Sequence, residues 1–123
     1  MCAVAAYNMA LTYHMEGKHY TTNGVVVDSS GQQNVCYRAA EALYQQAMDL
    51  LEEDAYVLHP ESSLVYLYLA ICQNLIALYQ GRSEDAVAEW EKTRDEAFYV
   101  CAEAHECPTY RFFLVRVGMV YPE

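Results

Sequence analysis

A chain of 123 residues has room for one domain with a modest core. Its hydrophobic share of 54%, with only five glycines and three prolines, excludes a disordered or collagen-like chain. Seven basic and seventeen acidic residues give a formal charge of −10, which opposes the phosphates of a nucleic acid and excludes that class of partner.

Hydrophobic periodicity predicts two helices in the first half of the chain. The first runs from about Ala3 to Glu16 and is predicted to stop at Gly17. The second lies between Arg38 and Asp54, where good helix formers predominate. Six apolar residues of the second helix are spaced alternately three positions and one position apart, so they lie on one stripe: Ala40, Leu43, Tyr44, Ala47, Met48 and Leu51.

A segment without helical periodicity separates these two helices. Residues 19–34 contain Thr-Thr-Asn-Gly, three valines and Asp-Ser-Ser-Gly. The valines at 25–27 would suit a short strand, but nothing nearby in the sequence offers a partner strand. We therefore predict a long loop, and loops of this length are often functional or disordered.

The second half of the chain predicts two more helices and a tail. The third helix, about Glu61 to Gln80, is apolar nearly all round, so we expect it to be packed on several sides. Gly81 is its expected stop, and Ser83 is the expected N-cap of a fourth helix that reaches about Glu106. Beyond Pro108 we predict a short fifth helix rather than a strand, because a lone strand has no ladder.

The two halves of the chain are similar to each other in sequence. A small residue followed four positions later by an aromatic occurs at Ala40 and Tyr44 and again at Ala86 and Trp90. The small residue admits a neighbouring helix, and the aromatic fills the groove beside it. A second similarity lies before a Gly-Lys or Gly-Arg pair in each half: Asn8-Met-Ala-Leu-Thr-Tyr13 and Asn74-Leu-Ile-Ala-Leu-Tyr79. The sequence therefore predicts two copies of one helical hairpin.

Three segments follow one another in the order of a known repeat: Tyr7-Asn-Met-Ala-Leu-Thr-Tyr-His-Met-Glu-Gly-Lys18, Ala40-Glu-Ala-Leu-Tyr-Gln-Gln-Ala-Met-Asp-Leu50 and His59-Pro-Glu61. Together they resemble the tetratricopeptide repeats (TPRs) of kinesin light chains. The resemblance implies an all-α fold, a TPR-like antiparallel array of helical hairpins with two repeats and a short C-terminal helix. About eighteen residues lie between Lys18 and Tyr37, where the family has almost none, so we expect an inserted loop.

The resemblance also implies boundaries within a single domain of residues 1–123. The first repeat spans about 3–54 with the inserted loop at 19–36, and the second spans about 60–106. Residues 108–123 form the C-terminal segment. Two repeats are fewer than a solenoid usually needs, which favours dimerisation, closure by the tail, or membership of something larger.

In this family, the first helix of each hairpin lines a concave groove. The resemblance therefore implies that Asn8 holds a ligand's main chain, for which the amide offers both a donor and an acceptor. Tyr66 and Gln73 lie near the expected groove in the second repeat. The alternative is that Tyr7 and Leu11 simply pack against the second and third helices. The full set of peptide-binding residues that the resemblance implies is Tyr7, Asn8, Leu11, His14, Met15 and Tyr68.

The best candidates for a metal site are Cys101, His105 and Cys107. Zinc requires four ligands, and the pairing motif Cys-x-x-Cys is absent. The alternative is that Cys101 belongs to the core stripe of the fourth helix and His105 to its end. The sequence also contains no nucleophile motif and no glycine-rich phosphate loop. We therefore expect that the protein is not an enzyme and binds no cofactor.

Five cysteines without a framework spacing indicate reduced thiols, as in the cytosol or nucleus, and we expect a cytoplasmic protein. The first residues lack the basic start of a signal peptide, and the longest apolar stretch, residues 64–72, is about half a membrane span. We therefore expect a soluble protein with no membrane partner.

The combined expectation is a protein–protein interaction module or scaffold that binds a peptide segment in a tyrosine-lined concave groove. Thirteen of the seventeen acids follow residue 51, and they form either a solvated surface or a face that attracts a basic protein or peptide. One alternative is a structural homo-oligomer, such as a homodimer. Another is a small zinc-binding helical protein.

Overall fold

The chain folds into four α-helices and one short β-hairpin within the residues described by the computed structural model: 1–22, 25–26, 31–54, 57, 62 and 64–100. At residues 21–22, 25–26 and 99–100 only the backbone is described. The helices are α1 (Ala3–Lys18), α2 (Gln32–Glu52), α3 (Leu64–Tyr79) and α4 (Glu84–Val100). The prediction of an all-α protein is thereby confirmed. Two compact units divide the chain, Met1–Leu50 and Leu51–Glu123.

Helix α1 ends two residues beyond its predicted end. It starts at Ala3, where the Ala6 amide donates to the Cys2 carbonyl over 3.0 Å, and it ends at Lys18. Gly17 was expected to stop the helix, but it lies inside the last turn and is buried. Its role is packing, because a Cβ added there would lie 2.5 Å from Cε1 of Tyr37.

A two-stranded hairpin follows α1. Strand β1 (Thr21–Thr22) pairs antiparallel with β2 (Val25–Val26), with Thr21 opposite Val26 and Thr22 opposite Val25. The expectation that the valines have no partner strand was wrong. The partner is the threonine pair just upstream, because threonine shares the β-branched side chain that favours extended backbone.

Helix α2 begins six residues before the predicted start at Arg38. Residues 32–36 therefore belong to the helix and not to the expected loop at 19–36. The helix extends the apolar stripe by one turn, and Cys36 is buried there. The stripe itself is confirmed by the burial of Ala40, Tyr44, Ala47, Met48 and Leu51, while Leu43 is half-buried.

In the first unit, α1 and α2 form an antiparallel hairpin. The side-chain amide of Gln33, in the first turn of α2, donates to the carbonyl of Gly17 over 3.1 Å. Tyr7 lies near the start of α1, and its ring centroid is 6.1 Å from that of Tyr44, farther along α2. The end of α1 therefore meets the beginning of α2, and the two helices run in opposite directions.

In the second unit, α3 is an uncharged helix packed on several sides, as predicted. Among its residues only Ala77 is exposed. The helix starts at Leu64, whose amide donates to Oγ of Ser62 over 3.3 Å. It ends at Tyr79, and the turn that follows contains Gly81 at a φ of +79°, in the left-handed region that favours glycine.

Helix α4 returns antiparallel against α3 after this short turn. Ser83 caps it as predicted, because its Oγ accepts from the Ala86 amide over 3.3 Å. Val87, Ala97 and Phe98 are buried, whereas Ala86 and Trp90 are half-buried. Ala86 and Trp90 therefore do not repeat the full burial of Ala40 and Tyr44 in the first unit.

Several sequence predictions fall outside the described residues. They are the linker at His59-Pro60, the end of the fourth helix at about Glu106, the stop at Pro108 and the C-terminal segment 108–123 with its short helix.

We expect Gly17→Ala to destabilise the protein by about 1–3 kcal/mol. Alanine normally favours a helix by about 0.5–1 kcal/mol over glycine, so the clash with Tyr37 reverses the usual sign. Urea unfolding measures the change. Repeating the substitution in a Tyr37→Ala background is the control, since most of the penalty disappears there if the ring causes it. A stabilising Gly17→Ala contradicts the close packing.

Candidate interaction surface

A buried hydrogen bond between α1 and α2 fixes which side of α1 faces inward. Nδ1 of His14 lies 3.0 Å from the hydroxyl of Tyr44, and either group is the donor according to the histidine tautomer. The His14 ring also meets the rings of Tyr37 and Tyr44 edge-on, with centroids 5.7 and 5.8 Å apart. His14 is 3% exposed and Tyr44 is fully buried, so neither side chain reaches a ligand in solvent.

The electrostatics of this pair keep both side chains uncharged near neutral pH. Burial, with a smaller contribution from Lys18, lowers the pKa of His14 from 6.5 to about 4. Burial, with Tyr7 beside it, raises the pKa of Tyr44 above its ordinary value. A neutral imidazole bonded to a neutral hydroxyl satisfies both buried polar groups without a buried charge.

The opposite side of α1 carries an exposed stripe. Ala6, Ala10, His14 and Gly17 are its buried residues, and the helical period places a second row on the far side. This row, here named the outer stripe, has steps of four, three and four residues and consists of Val4, Asn8, Leu11 and Met15. Val4 and Met15 are 51% and 59% exposed, Asn8 is exposed, and Leu11 is half-buried.

Large apolar side chains are exposed in only one part of the described chain. All of them lie between residues 1 and 35: Met1, Val4, Met9, Tyr13, Met15 and Val35. Residues 1–50 carry four acids and two bases, whereas residues 51–123 carry thirteen acids and five bases. Among the residues that the structure describes, the large exposed apolar side chains therefore belong to the nearly neutral part of the chain.

Asn8 is the polar centre of the outer stripe. The Thr12 hydroxyl donates to the backbone carbonyl of Asn8 over 3.0 Å, a bond that leaves the side-chain amide uninvolved. Within the described ranges, that amide has no hydrogen-bond partner. The stripe therefore presents apolar side chains on both sides of one amide that offers a donor and an acceptor.

The structure separates the six residues that the sequence grouped as one peptide site. Asn8, Leu11 and Met15 lie on the outer stripe, but Tyr7 is half-buried against Tyr44. His14 is buried in the first unit, and Tyr68 is buried in α3 at 6% exposure, so these two residues do not line an open groove. The physical reason for His14 is its hydrogen bond to Tyr44, which holds the ring between the helices.

Sequence reasoning missed Val4 as a member of the exposed row. Val4 lies four positions before Asn8, so its place in the same row as Asn8, Leu11 and Met15 could have been read from the sequence. Nothing in that spacing distinguishes an exposed row from a buried one, because α1 has apolar residues on all sides.

The candidate polar groups of the second unit serve packing. Nη1 of Arg94 donates to the side-chain carbonyl of Gln73 over 3.0 Å and links α4 to α3. Tyr66 is half-buried in α3. Cys72 is fully buried, and burial raises the pKa of its thiol to about 12. Burial also raises the pKa of Tyr68 to about 12, so both groups stay protonated.

The candidate zinc ligands Cys101, His105 and Cys107 lie outside the described residues. Among the residues with a described placement, no group of three or more histidine, cysteine and acidic side chains is arranged to hold a metal ion. In the same part of the chain, no helix combines the length and the apolar character needed to cross a bilayer.

Comparison with protein-family models, with curated proteins and with solved structures gives no match to this chain in any of the three. The class of the protein is therefore described from its fold and surface alone. It is an all-α protein built of helical hairpins, with an exposed apolar row on its first helix.

Acid should destabilise the first unit through His14. The unfolded chain binds a proton at this histidine near pH 6.5, but the folded chain does so only near pH 4. Stability from this group is therefore complete above pH 6.5 and falls as the pH drops from 6.5 to 4, by a few kcal/mol at most. Urea unfolding at pH 7 and pH 5 measures the loss. An equal loss in His14→Gln contradicts the assignment to His14.

We expect Tyr44→Phe to destabilise the protein by about 1–3 kcal/mol, because it leaves the buried His14 nitrogen without its partner. Tyr13→Phe is the matched control. It removes the same hydroxyl from an exposed side chain of α1, and its effect should stay within about 0.5 kcal/mol. Thermal unfolding of both variants measures the change in stability. Equal losses of stability in Tyr44→Phe and Tyr13→Phe would contradict a stabilising hydrogen bond between His14 and Tyr44.

Proposed function

We propose that the protein is a non-enzymatic interaction module of the tetratricopeptide type, acting in the cytoplasm, and that the outer stripe of α1 is its binding surface. The proposal moves the site from a tyrosine-lined groove to the outward face of one helix. The carrying observation is the exposure of Val4 and Met15 on this stripe, at 51% and 59%, within residues 1–35, which hold every large exposed apolar side chain among the described residues.

An exposed apolar row of this kind is unfavourable in an isolated protein. Single exposed apolar residues are common, but contiguous patches mark surfaces that another molecule covers. Leu11 and Met15 lie one helical turn apart along α1, and Val4 lies one turn before Asn8, so each side chain of the row is a neighbour of the next. Methionine also suits a binding surface, because its flexible side chain adapts to the shape of a partner.

The shape of the surface favours a partner that is itself a helix. Helix α1 has 16 residues, which corresponds to a straight rod of about 24 Å. The row on it is narrow, and its spacing of three and four residues matches an amphipathic helix with the same spacing. Asn8, in the middle of the row, would fix the position of the partner through hydrogen bonds.

The buried titratable groups support a role without catalysis. A catalytic acid, base or nucleophile must reach its substrate and must titrate near the working pH. His14 and Cys72 are both buried, and burial holds both in the neutral form at pH 7. Their burial and hydrogen bonding are those of core residues.

The test uses a photo-crosslinking amino acid at Met15, introduced in intact cells, to trap the molecule that covers the outer stripe. The captured protein is then purified and titrated against the purified chain. We expect Met15→Glu to weaken this binary complex at least about tenfold, since it places a charge in an apolar contact.

Ala42→Glu is the matched control for this titration. It adds the same charge at an exposed position of α2, away from the outer stripe, and binding should not change. Equal affinities of Met15→Glu and the unmodified protein would rule out the outer stripe as the binding surface. Circular dichroism confirms that both variants keep their helices.

A further inference from the structure

We infer that the occupant of the outer stripe is a second copy of the same chain, with the Asn8 amides of the two copies hydrogen-bonded to each other. The inference rests on the proposed function and names its partner. It depends on the spacing of the stripe, on the chemistry of its central residue, and on where the charges of the chain lie.

The spacing is that of a helix–helix seam. Val4, Asn8, Leu11 and Met15 follow steps of four, three and four, the alternation that keeps one row of side chains against a neighbouring helix. Two copies of such a row interlock because each row supplies both the knobs and the holes.

Asn8 makes the row self-complementary. A carboxamide has N–H donors and a carbonyl acceptor, so two facing amides satisfy each other without any other group. Val4 and Leu11 flank Asn8, and a purely apolar partner placed there would leave the amide buried without a hydrogen bond. A twofold-symmetric pair brings the same residue of both copies together, and an asparagine in a seam fixes its register.

The charge distribution permits this contact. The outer stripe contains no ionisable side chain, and the charged residues of α1 are Glu16 and Lys18, near its end. Residues 1–50 carry an excess of two acids, against eight in residues 51–123. Two copies that meet through α1 therefore make contact within the less charged half of the sequence, although the total charge of −10 on each copy still opposes association.

That residual repulsion gives a signature that separates a second copy from a basic partner. Salt screens the repulsion between two acidic chains, so self-association should strengthen as ionic strength rises. A complex with a basic peptide should weaken under the same change. A row of four side chains is also smaller than a standard interface, so we expect a weak dimer with a Kd of roughly 10–100 μM.

Sedimentation equilibrium of the full chain, over about 5–500 μM and at two salt concentrations, tests the inference. We expect a monomer–dimer equilibrium that tightens with salt. Asn8→Asp places two like charges face to face and should weaken the dimer at least about tenfold at pH 7, as should Met15→Glu. Ala42→Glu, with the same added charge on α2, should leave it unchanged.

A chain that stays monomeric throughout this range overturns the inference, and so does a dimer that neither Asn8→Asp nor Met15→Glu weakens. These outcomes differ from failure of the proposed function. Suppose that the chain is a monomer, that the protein crosslinked to Met15 is a different protein, and that Met15→Glu abolishes its binding. The outer stripe is then still the binding surface, but its occupant is not a second copy. If Met15 crosslinks to another copy of this chain, and Asn8→Asp and Met15→Glu each weaken the dimer, the result supports the binding surface and the second copy as its occupant.

Discussion

The packing of α1 against α2 is the constraint on which the rest of the first unit depends. Gly17 permits the close approach, because any larger residue would meet the ring of Tyr37. One turn earlier, His14 and Tyr44 form a buried hydrogen bond. A missing hydroxyl or an added methyl cannot be absorbed there, since buried polar groups need partners and protein interiors are close-packed.

This internal contact also determines the surface of the protein. A helix is a rigid rod of fixed period, so the side chains that face inward decide which others face outward. With Ala6, Ala10, His14 and Gly17 buried, Asn8 and Met15 must be exposed on the far side. The core contacts of α1 therefore determine which residues form the outer stripe, and a change that rotates α1 about its axis would expose a different row of side chains.

The sequence predicted those features that local chemistry decides. The stripe of α2 and the cap at Ser83 follow from residue type and spacing, and the structure confirms both. The role of Gly17 and the inward orientation of His14 depend on contacts with α2, which no local pattern contains. Because α1 has apolar residues on all sides, its periodicity could not show which side faces the core, and the five predicted binding residues on α1 include both inward-facing and outward-facing positions.

The two hairpins share sequence features but differ in what they expose. Asn8 and Tyr13 are exposed in α1, whereas the corresponding Asn74 and Tyr79 of α3 are half-buried. An uncharged helix that is buried on nearly all sides, as α3 is, contributes stability through its apolar area. A helix that buries only alanine, glycine and one histidine, as α1 does, gains less from its core and leaves larger apolar side chains such as Val4, Met9 and Met15 exposed. The same pattern thus supplies a core helix in one unit and, in the other, the helix whose outward face we propose as the binding surface.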